Sequence, residues 1–409
     1  MLLLSVPPGT KPATLGDQEH AGPRYGVALS AAGYGRRTGA HGDRTATGYA
    51  GQWWRQRQID NPFDRQQTGV TLVTVVGPFG LSVRDQALEA DVQAGLAAVE
   101  EGLLEATKSD VPFITDAAQH LVRAGGKRFR PLLVMLAAQF GDPYAPGIVP
   151  SAVVVELTHL ATLYHDDVMD EAEVRRGVES ANARWGNSLA VLTGDFLFAR
   201  ASHTLADLGP EAVRIQAEAF ERLVTGQILE TAGPRDGRDP VEHYLDVIAG
   251  KTGSLIAVAG RFGAMMSGAD EATVDILTQY GERLGTAFQL ADDVLDIASD
   301  AGESGKTPGT DLREGIPTLP VLHLRALAAS DAATEEDRAL AALLDQDLTD
   351  DARHAEALAG LRAHAALRQA RRDTIRYAED ARATLAPLPE CAAKTALQEL
   401  CDAVVHRAG

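Results

Sequence analysis

Glu156-Leu-Thr-His-Leu-Ala-Thr-Leu-Tyr-His-Asp-Asp-Val-Met-Asp170 ends on three carboxylates, Asp166, Asp167 and Asp170, spaced i, i+1 and i+4. The spacing returns at Asp292-Asp293-Val-Leu-Asp296. Both clusters lie in apolar sequence of helical period, where ~100° per residue puts i+4 above i and i+1 beside them. Carboxylates so arranged repel one another at neutral pH unless a cation sits between them. A solvated helix face has no use for such a cluster beside hydrophobic residues. Mg²⁺ does, because it takes carboxylate oxygens and keeps positions for water and substrate phosphates. One cluster is a weak signal. Two, far apart in the chain, can face each other across a helical bundle.

The 409 residues allow one large domain or two ordinary ones. Hydrophobic residues make up 45% with only 5% aromatic, dominated by Ala and Leu, which favours helix over sheet. A net charge of −19 argues against nucleic acid, which needs a basic face. A diphosphate substrate remains compatible if local Lys, Arg and metal ions reverse the field. Cys391 and Cys401 lack any CxxC or CxxH pattern and read as reduced thiols, which suits a cytoplasmic protein. The opening Met-Leu-Leu-Leu-Ser-Val-Pro-Pro has no basic n-region and its apolar run stops at Pro7, so it is not read as a signal peptide. The longest apolar runs, Leu132–Ala138 and Leu255–Ala259, fall far short of the ~20 residues of a membrane span.

Residues 1–72 carry +3, leaving −22 on residues 73–409. Their Gly, Arg, Thr and Gln follow no period, so this stretch is expected to be a disordered or non-native N-terminal extension. Val73-Thr-Val-Val-Gly-Pro reads as a natural start, and 73–409 as one domain. Ser82-Val-Arg-Asp85 resembles a capping box, and Val92, Leu96, Val99 and Leu103 then keep helical spacing. Later amphipathic segments are parted by breakers at Gly141–Pro150, Gly233–Pro240 and Asp345–Asp351. No stretch alternates with period two. The expected fold is all-α, a single large bundle of roughly ten or more helices. One long loop, Ser299–Pro317, follows the second cluster directly and carries Lys306; long loops in compact domains are usually functional.

Basic residues gather at four places. Gly125-Gly126-Lys127-Arg128-Phe129-Arg130-Pro131 joins two helical segments, with Pro131 expected at the first helical position. Lys127 and Arg130 would then sit at a helix N-terminus, which favours an anion. Arg175-Arg176 follows Asp170, Lys251-Thr252-Gly253 precedes an apolar helix, and Lys306 lies in the long loop. Any one of these could be a solvated charge. Beside two acidic triads they read as two diphosphate sites, one through Mg²⁺ and one through direct contacts. His165, taken alone, reads as a helix residue hydrogen-bonded beside the carboxylates. His165-Asp166 also resembles the metal pair of HD-type phosphohydrolases, but that family uses neither a second aspartate triad nor the Gly-Gly-Lys-Arg-x-Arg-Pro turn.

In order along the chain, Gly125–Pro131, Glu156-Leu-Thr-His159, His165–Asp170, Arg175-Arg176-Gly177, Gly194-Asp195, Gly226-Gln227, Lys251-Thr252-Gly253, Phe288-Gln289, Asp292–Asp296, Gly305-Lys306 and Asp311–Gly315 resemble the trans-type polyprenyl diphosphate synthases. The motifs span 125–320, and none departs from the family pattern. The resemblance implies the all-α isoprenoid synthase bundle, a cytoplasmic homodimer and about three Mg²⁺ ions per active site. It implies that Asp166, Asp167, Asp170, Asp292, Asp293 and Asp296 hold these ions on an allylic diphosphate. Arg175, Lys251 and Lys306 would neutralise that group. Lys127, Arg130, His159 and Arg176 would bind isopentenyl diphosphate, while Thr252 and Gln289 steady an allylic cation.

Product length is a steric matter. One turn upstream of the first triad, Ala161 and Thr162 share its face and are small. Short-chain members of the family carry an aromatic plug there. Tyr164, two residues before Asp166, points elsewhere. A long product is therefore expected, C30 or above, with a quinone role such as menaquinone supply by analogy; transient membrane contact could aid its release. A C20 product remains open if a deeper residue on a neighbouring helix stops the chain. A class I terpene cyclase would replace the second triad and would not need Lys127, Arg130 and His159. A non-catalytic partner subunit would be expected to lose aspartates or the basic turn, and neither is lost.

Overall fold

Phe129 to Ala138 is apolar nearly all round, and every residue from Pro131 to Ala138 is buried, the signature of a helix enclosed on all sides. This is α3 (Phe129–Ala138) of a computed structural model that describes residues 85–299 and 308–408. The expected boundary at residue 73, Ser82, Lys306 and the extension 1–72 lie outside the described residues.

Before α3 come α1 (Gln86–Ala106) and α2 (Pro112–Arg123), and after it the long α4 (Ile148–Met169). A β-hairpin follows, β1 (Val174–Arg175) and β2 (Val178–Glu179), then α5 (Ala181–Trp185), α6 (Asn187–Leu208), α7 (Pro210–Ala232) and α8 (Pro240–Ile248). A π-helical turn, Ala249–Gly253, leads into α9 (Ser254–Met266) and the 28-residue α10 (Glu271–Ala298). The rest is α11 (Thr310–Glu314), α12 (Leu319–Ala328), α13 (Glu335–Leu344), α14 (Asp351–Ala363), α15 (Ala365–Thr384) and α16 (Ala392–Ala408). The all-α expectation holds, with the small hairpin as its one exception among the described residues.

Several boundaries differ from expectation. Asp85, not Ser82, caps α1, its carboxylate accepting the amides of Ala87 and Leu88 at 3.0 Å. Helix α3 begins at Phe129, so Pro131 stands third, where its missing N–H still removes no helical hydrogen bond. Pro150 likewise falls inside the first turn of α4. The expected loop 299–317 contains α11, because Asp296 accepts the amides of Thr310 at 3.2 Å and Asp311 at 3.1 Å.

Helix α4 packs along α6, and α10 packs against both α9 and α15, with α3 against α9. The shared core runs through Leu133, Leu157, Leu160, Phe262, Leu284 and Leu290, each fully buried. At ~1.5–3 kcal/mol per enclosed aliphatic or aromatic side chain, this core dominates the stability. It also fixes the ends of α4 and α10 that carry the two triads.

Candidate active site

The hairpin positions two arginines through a strained turn. Arg175 pairs with Val178 across the strands, and the connecting residues Arg176 and Gly177 have φ of 54° and 77°. Two positive φ angles give the primed turn that matches the strand twist. Glycine adopts this freely, whereas arginine does so at a cost on the order of 1–3 kcal/mol. The Arg176 guanidinium offsets it by donating to Leu121 O at 3.1 Å and to Gly125 O, and it lies 3.7 Å from Glu156. Glycine suits the position opposite: Gly126 has φ 156°, and a Cβ there would come within 2.8 Å of that guanidinium and displace it. This accounts for the second glycine of the basic turn.

Arg128 ties the same turn to the core. Its φ is 46°, and it donates to Glu156 at 2.9 Å, to Glu100 at 3.0 Å and to Val122 O at 3.0 Å. Glu156 is 2% exposed and thus anchors Arg128 and Arg176 from within α4. Their neighbours Lys127, Arg130 and His159, with Arg175 and Arg176, line one cavity of about 1080 Å³. Burial and the Arg176 charge lower Arg130 to about 10, against the opposing pull of Glu156. Burial, then Arg130 and Arg176, hold His159 well below the ordinary imidazole value, so it is neutral at pH 7. This end of the cavity is an anion site with a neutral hydrogen-bonding imidazole.

The first triad divides. Asp166 lines the cavity, and burial with the nearby Asp170 raises it to about 6, against the opposing pull of Lys251. Asp170 is exposed and lies 3.8 Å from Arg175. Asp167 is instead turned inward: it is 0% exposed and its Oδ1 accepts from Arg175 Nε. Helix rotation of ~100° per residue carries Asp167 off the face shared by Asp166 and Asp170.

The π turn supplies the opposite wall. A wider turn lets Lys251 and Thr252 reach the cavity side by side, as π-bulges at functional sites commonly do. It packs so tightly on α7 that a Cβ at Gly226 would lie 2.6 Å from the Lys251 amide. Lys251 Nζ bonds Glu230 at 2.6 Å, and Gln227 donates to the same carboxylate at 3.0 Å. Thr252 Oγ1 donates to Gln289 Oε1 at 3.0 Å, and Gln289 Nε2 donates to Asp293 Oδ1 at 2.9 Å. Asp166 thus lines the cavity directly, while the second triad stands behind its wall and is joined to it through Gln289 and Thr252.

The second triad also divides. Asp292 is half-buried, one turn beyond Gln289. Asp293 is 5% exposed and accepts from Tyr244 and Gln289; burial, then Asp311, push it up to about 8. Asp296 is engaged by the α11 amides. Asp293 and Asp296 are thus both engaged by protein donors in this arrangement. Among the described residues, no three His, Cys, Asp or Glu side chains form a ready cage for an ion.

Of the two small residues expected to shape a tunnel, Thr162 lines the cavity but Ala161 does not; it is fully buried beside Gly194. Tyr164 is fully buried and donates to Ala117 O at 2.6 Å, away from the cavity as expected. His165 bonds Val191 O at 3.1 Å. Sequence reasoning missed Arg128, Glu156, Glu230 and Tyr244. Glu156 and Arg128 lie inside marked motifs that give them no role of their own, and nothing local marks Glu230 or Tyr244.

The polyprenyl synthetase family model matches residues 111–361. The nonaprenyl diphosphate synthase of Mycobacterium tuberculosis is 48% identical over 340 residues, 83% of this chain and 99% of that protein. A crystal structure of geranylgeranyl pyrophosphate synthase from Corynebacterium glutamicum, complexed with calcium and isoprenyl diphosphate, is 45% identical and superposes with a TM-score of 0.71. The match covers 80% of this chain and 98% of that one. A decaprenyl diphosphate synthase from Rhodobacter capsulatus superposes with a TM-score of 0.71 at 36% identity, over 79% of this chain and 99% of that one. With the motifs, the fold and the cavity in agreement, the chain belongs to the polyprenyl synthetase family.

Proposed function

We propose that this protein condenses isopentenyl diphosphate with an allylic diphosphate and repeats the step to make a long trans-polyprenyl diphosphate. The observation that carries this reading is a single cavity with two anion-binding ends and apolar walls between them. One end sets Asp166 beside Lys251 and Arg175, and the other gathers Lys127, Arg130, His159 and Arg176. Phe129 and Phe288, stacked at 5.3 Å, are part of the wall.

The acidic end fits a divalent cation. Asp166 is raised to about 6 by burial beside Asp170, a penalty that a cation removes. Mg²⁺ would be held by Asp166, Asp170 and Asp292, with water and phosphate completing its shell, and when bound it supplies positive charge for the departing diphosphate. Lys251 and Arg175 add to that charge, with Lys306 assigned the same role by its motif. Lys127, Arg130, Arg176 and neutral His159 hold the second diphosphate, the arginine forks matching its oxygens. Departure of diphosphate leaves an allylic cation beside Thr252 and Gln289. The isopentenyl double bond attacks it, and the proton passes to the released diphosphate. The apolar walls exclude water, which would otherwise quench the cation.

Small Thr162 below the triad supports a long product, heptaprenyl to nonaprenyl, and a role in quinone side-chain supply such as menaquinone. One observation favours a shorter stop. Phe220 lines the cavity from α7 and is braced by Phe198 at 4.3 Å between ring centroids, so it could end the chain near geranylgeranyl. Exposed Leu192 and Val213 on α6 and α7 support a homodimer. Among the described residues, no helix is long and apolar enough to cross a membrane.

The test is incorporation of labelled isopentenyl diphosphate onto farnesyl diphosphate, with Mg²⁺ and with excess chelator. Incorporation that chelator abolishes supports the reading. No incorporation with any allylic primer overturns it.

A further inference from the structure

One chain of hydrogen bonds leads from the closed interior to the cavity wall. The Tyr244 hydroxyl donates to Asp293, Gln289 Nε2 donates to Asp293 Oδ1 at 2.9 Å, and Thr252 Oγ1 donates to Gln289 Oε1 at 3.0 Å. Tyr244 and Asp293 are 9% and 5% exposed, whereas Gln289 and Thr252 line the cavity. The link between interior and wall is a single amide whose two ends are chemically opposite.

Asp293 decides which way that amide points. An ionised carboxylate only accepts, and a carboxyl carrying its proton on the Tyr244 side still accepts at Oδ1. In either state it selects the NH₂ end of Gln289. The carbonyl end is then turned to Thr252, whose hydroxyl commits its one proton to it. The two oxygens keep lone pairs at the cavity wall. Neutral oxygen dipoles fixed in a dry site favour positive charge beside them and bring no nucleophile. The reversed amide would aim N–H dipoles at the same place and disfavour that charge.

Tyr244 serves this arrangement twice. It satisfies the second oxygen of Asp293, which would otherwise be a costly orphan in the interior. It also lies on α8, directly before the π turn, and so fastens the support of Thr252 to α10.

We propose that Tyr244 and Asp293 are positioning residues that set the polarity of the Gln289–Thr252 pair, so that the wall presents oxygen to the cation formed from the allylic substrate. The inference rests on the prenyltransferase reading above. It gives Asp293 a role other than metal ligation and gives Tyr244 a role that no motif marks.

The experiment compares full-length wild type with Tyr244→Phe, Asp293→Asn and Asp293→Leu, using Mg²⁺, geranylgeranyl diphosphate and labelled isopentenyl diphosphate. Four quantities are read: kcat, KM for isopentenyl diphosphate, the share of allylic substrate released as free prenol by water capture, and Tm. Asparagine keeps an acceptor for Gln289 and a donor for Tyr244, so D293N is expected within ~10-fold of wild type, while D293L, with no acceptor, loses ~10²–10³-fold in kcat. KM should hold within ~2-fold, and the prenol share should rise in D293L and Y244F. If D293L does not fold, Y244F alone decides: a kcat ~10-fold down with a raised prenol share supports the inference. Equal inactivity of D293N and D293L overturns it, because the carboxylate charge itself would then be required. A Y244F enzyme matching wild type in kcat and prenol share overturns it too. Wild type that condenses nothing overturns the prenyltransferase reading, and this inference with it.

Discussion

Arg175 of the hairpin is bound to Asp167, the one fully buried carboxylate of the first triad. Asp167 is fully buried and Arg175 is 28% exposed, so the bond joins the inside of α4 to the mouth of the site. It holds the hairpin so that Arg176 can reach Glu156 and the basic turn. Asp167 thus supports the site through Arg175.

Arg175→Leu leaves a buried carboxylate without its partner, at a cost on the order of 3 kcal/mol. The expected result is a clear fall in Tm together with weaker binding of both diphosphates. Asp167→Asn, which keeps an acceptor for Arg175, should retain much more activity than Asp166→Asn. Thermal melts and steady-state kinetics on the three variants check this.

Asp292 and Asp296 share a helix face but not a task. Asp292→Ala should nearly abolish Mg²⁺-dependent condensation while the protein stays helical by circular dichroism, a loss of ~10³-fold or more. Asp296→Asn keeps one acceptor for the α11 amides and should cost about 1 kcal/mol of stability, with only a modest loss of rate. Equal losses from the two substitutions would restore Asp296 as a ligand.

Thr162→Phe and Ala161→Phe separate tunnel from core. Thr162 lines the cavity, so Thr162→Phe is expected to shorten the product by several isoprene units without lowering Tm. Ala161 is enclosed beside Gly194, so Ala161→Phe overpacks the α4–α6 contact and should destabilise by ~1–3 kcal/mol or more. Product analysis and melting curves distinguish the outcomes.

The buried acids set a pH dependence. Burial raises Asp166 from 3.8 to about 6 and Asp293 from 3.8 to about 8. Between those values the folded protein holds protons that the unfolded chain has released, so these groups stabilise least at high pH. Metal-free protein should lose Tm steadily from pH 4 to pH 8, and saturating Mg²⁺ should flatten that fall. Asp337 acts oppositely: the Thr334 amide, then His364, lower it from 3.8 to about 2, so its contribution is lost as pH falls between those two values. A Tm that rises from pH 5 to pH 8 in chelator would contradict the placement of Asp166 and Asp293.

Much of this was legible in the chain. Helical periodicity gave the fold, and paired aspartate spacing with ordered basic motifs gave the site. What escaped depends on distant partners. Two-residue strands carry no period, so the hairpin was invisible although Arg175 and Arg176 were not. The π turn depends on Gly226 from α7, and Tyr244 matters only because α8 meets α10. Helix rotation sets i+1 beside i and i+4, but only the packing around α4 and α10 buries Asp167 and Asp293.

The most direct test is the length of the product. Purified protein is incubated with Mg²⁺, farnesyl or geranylgeranyl diphosphate and labelled isopentenyl diphosphate, and the dephosphorylated prenols are resolved. A ladder ending between heptaprenol and nonaprenol is the expected result. A sharp stop at geranylgeraniol would contradict the long-chain assignment and move the limit to Phe220, while no elongation at all would contradict the activity itself.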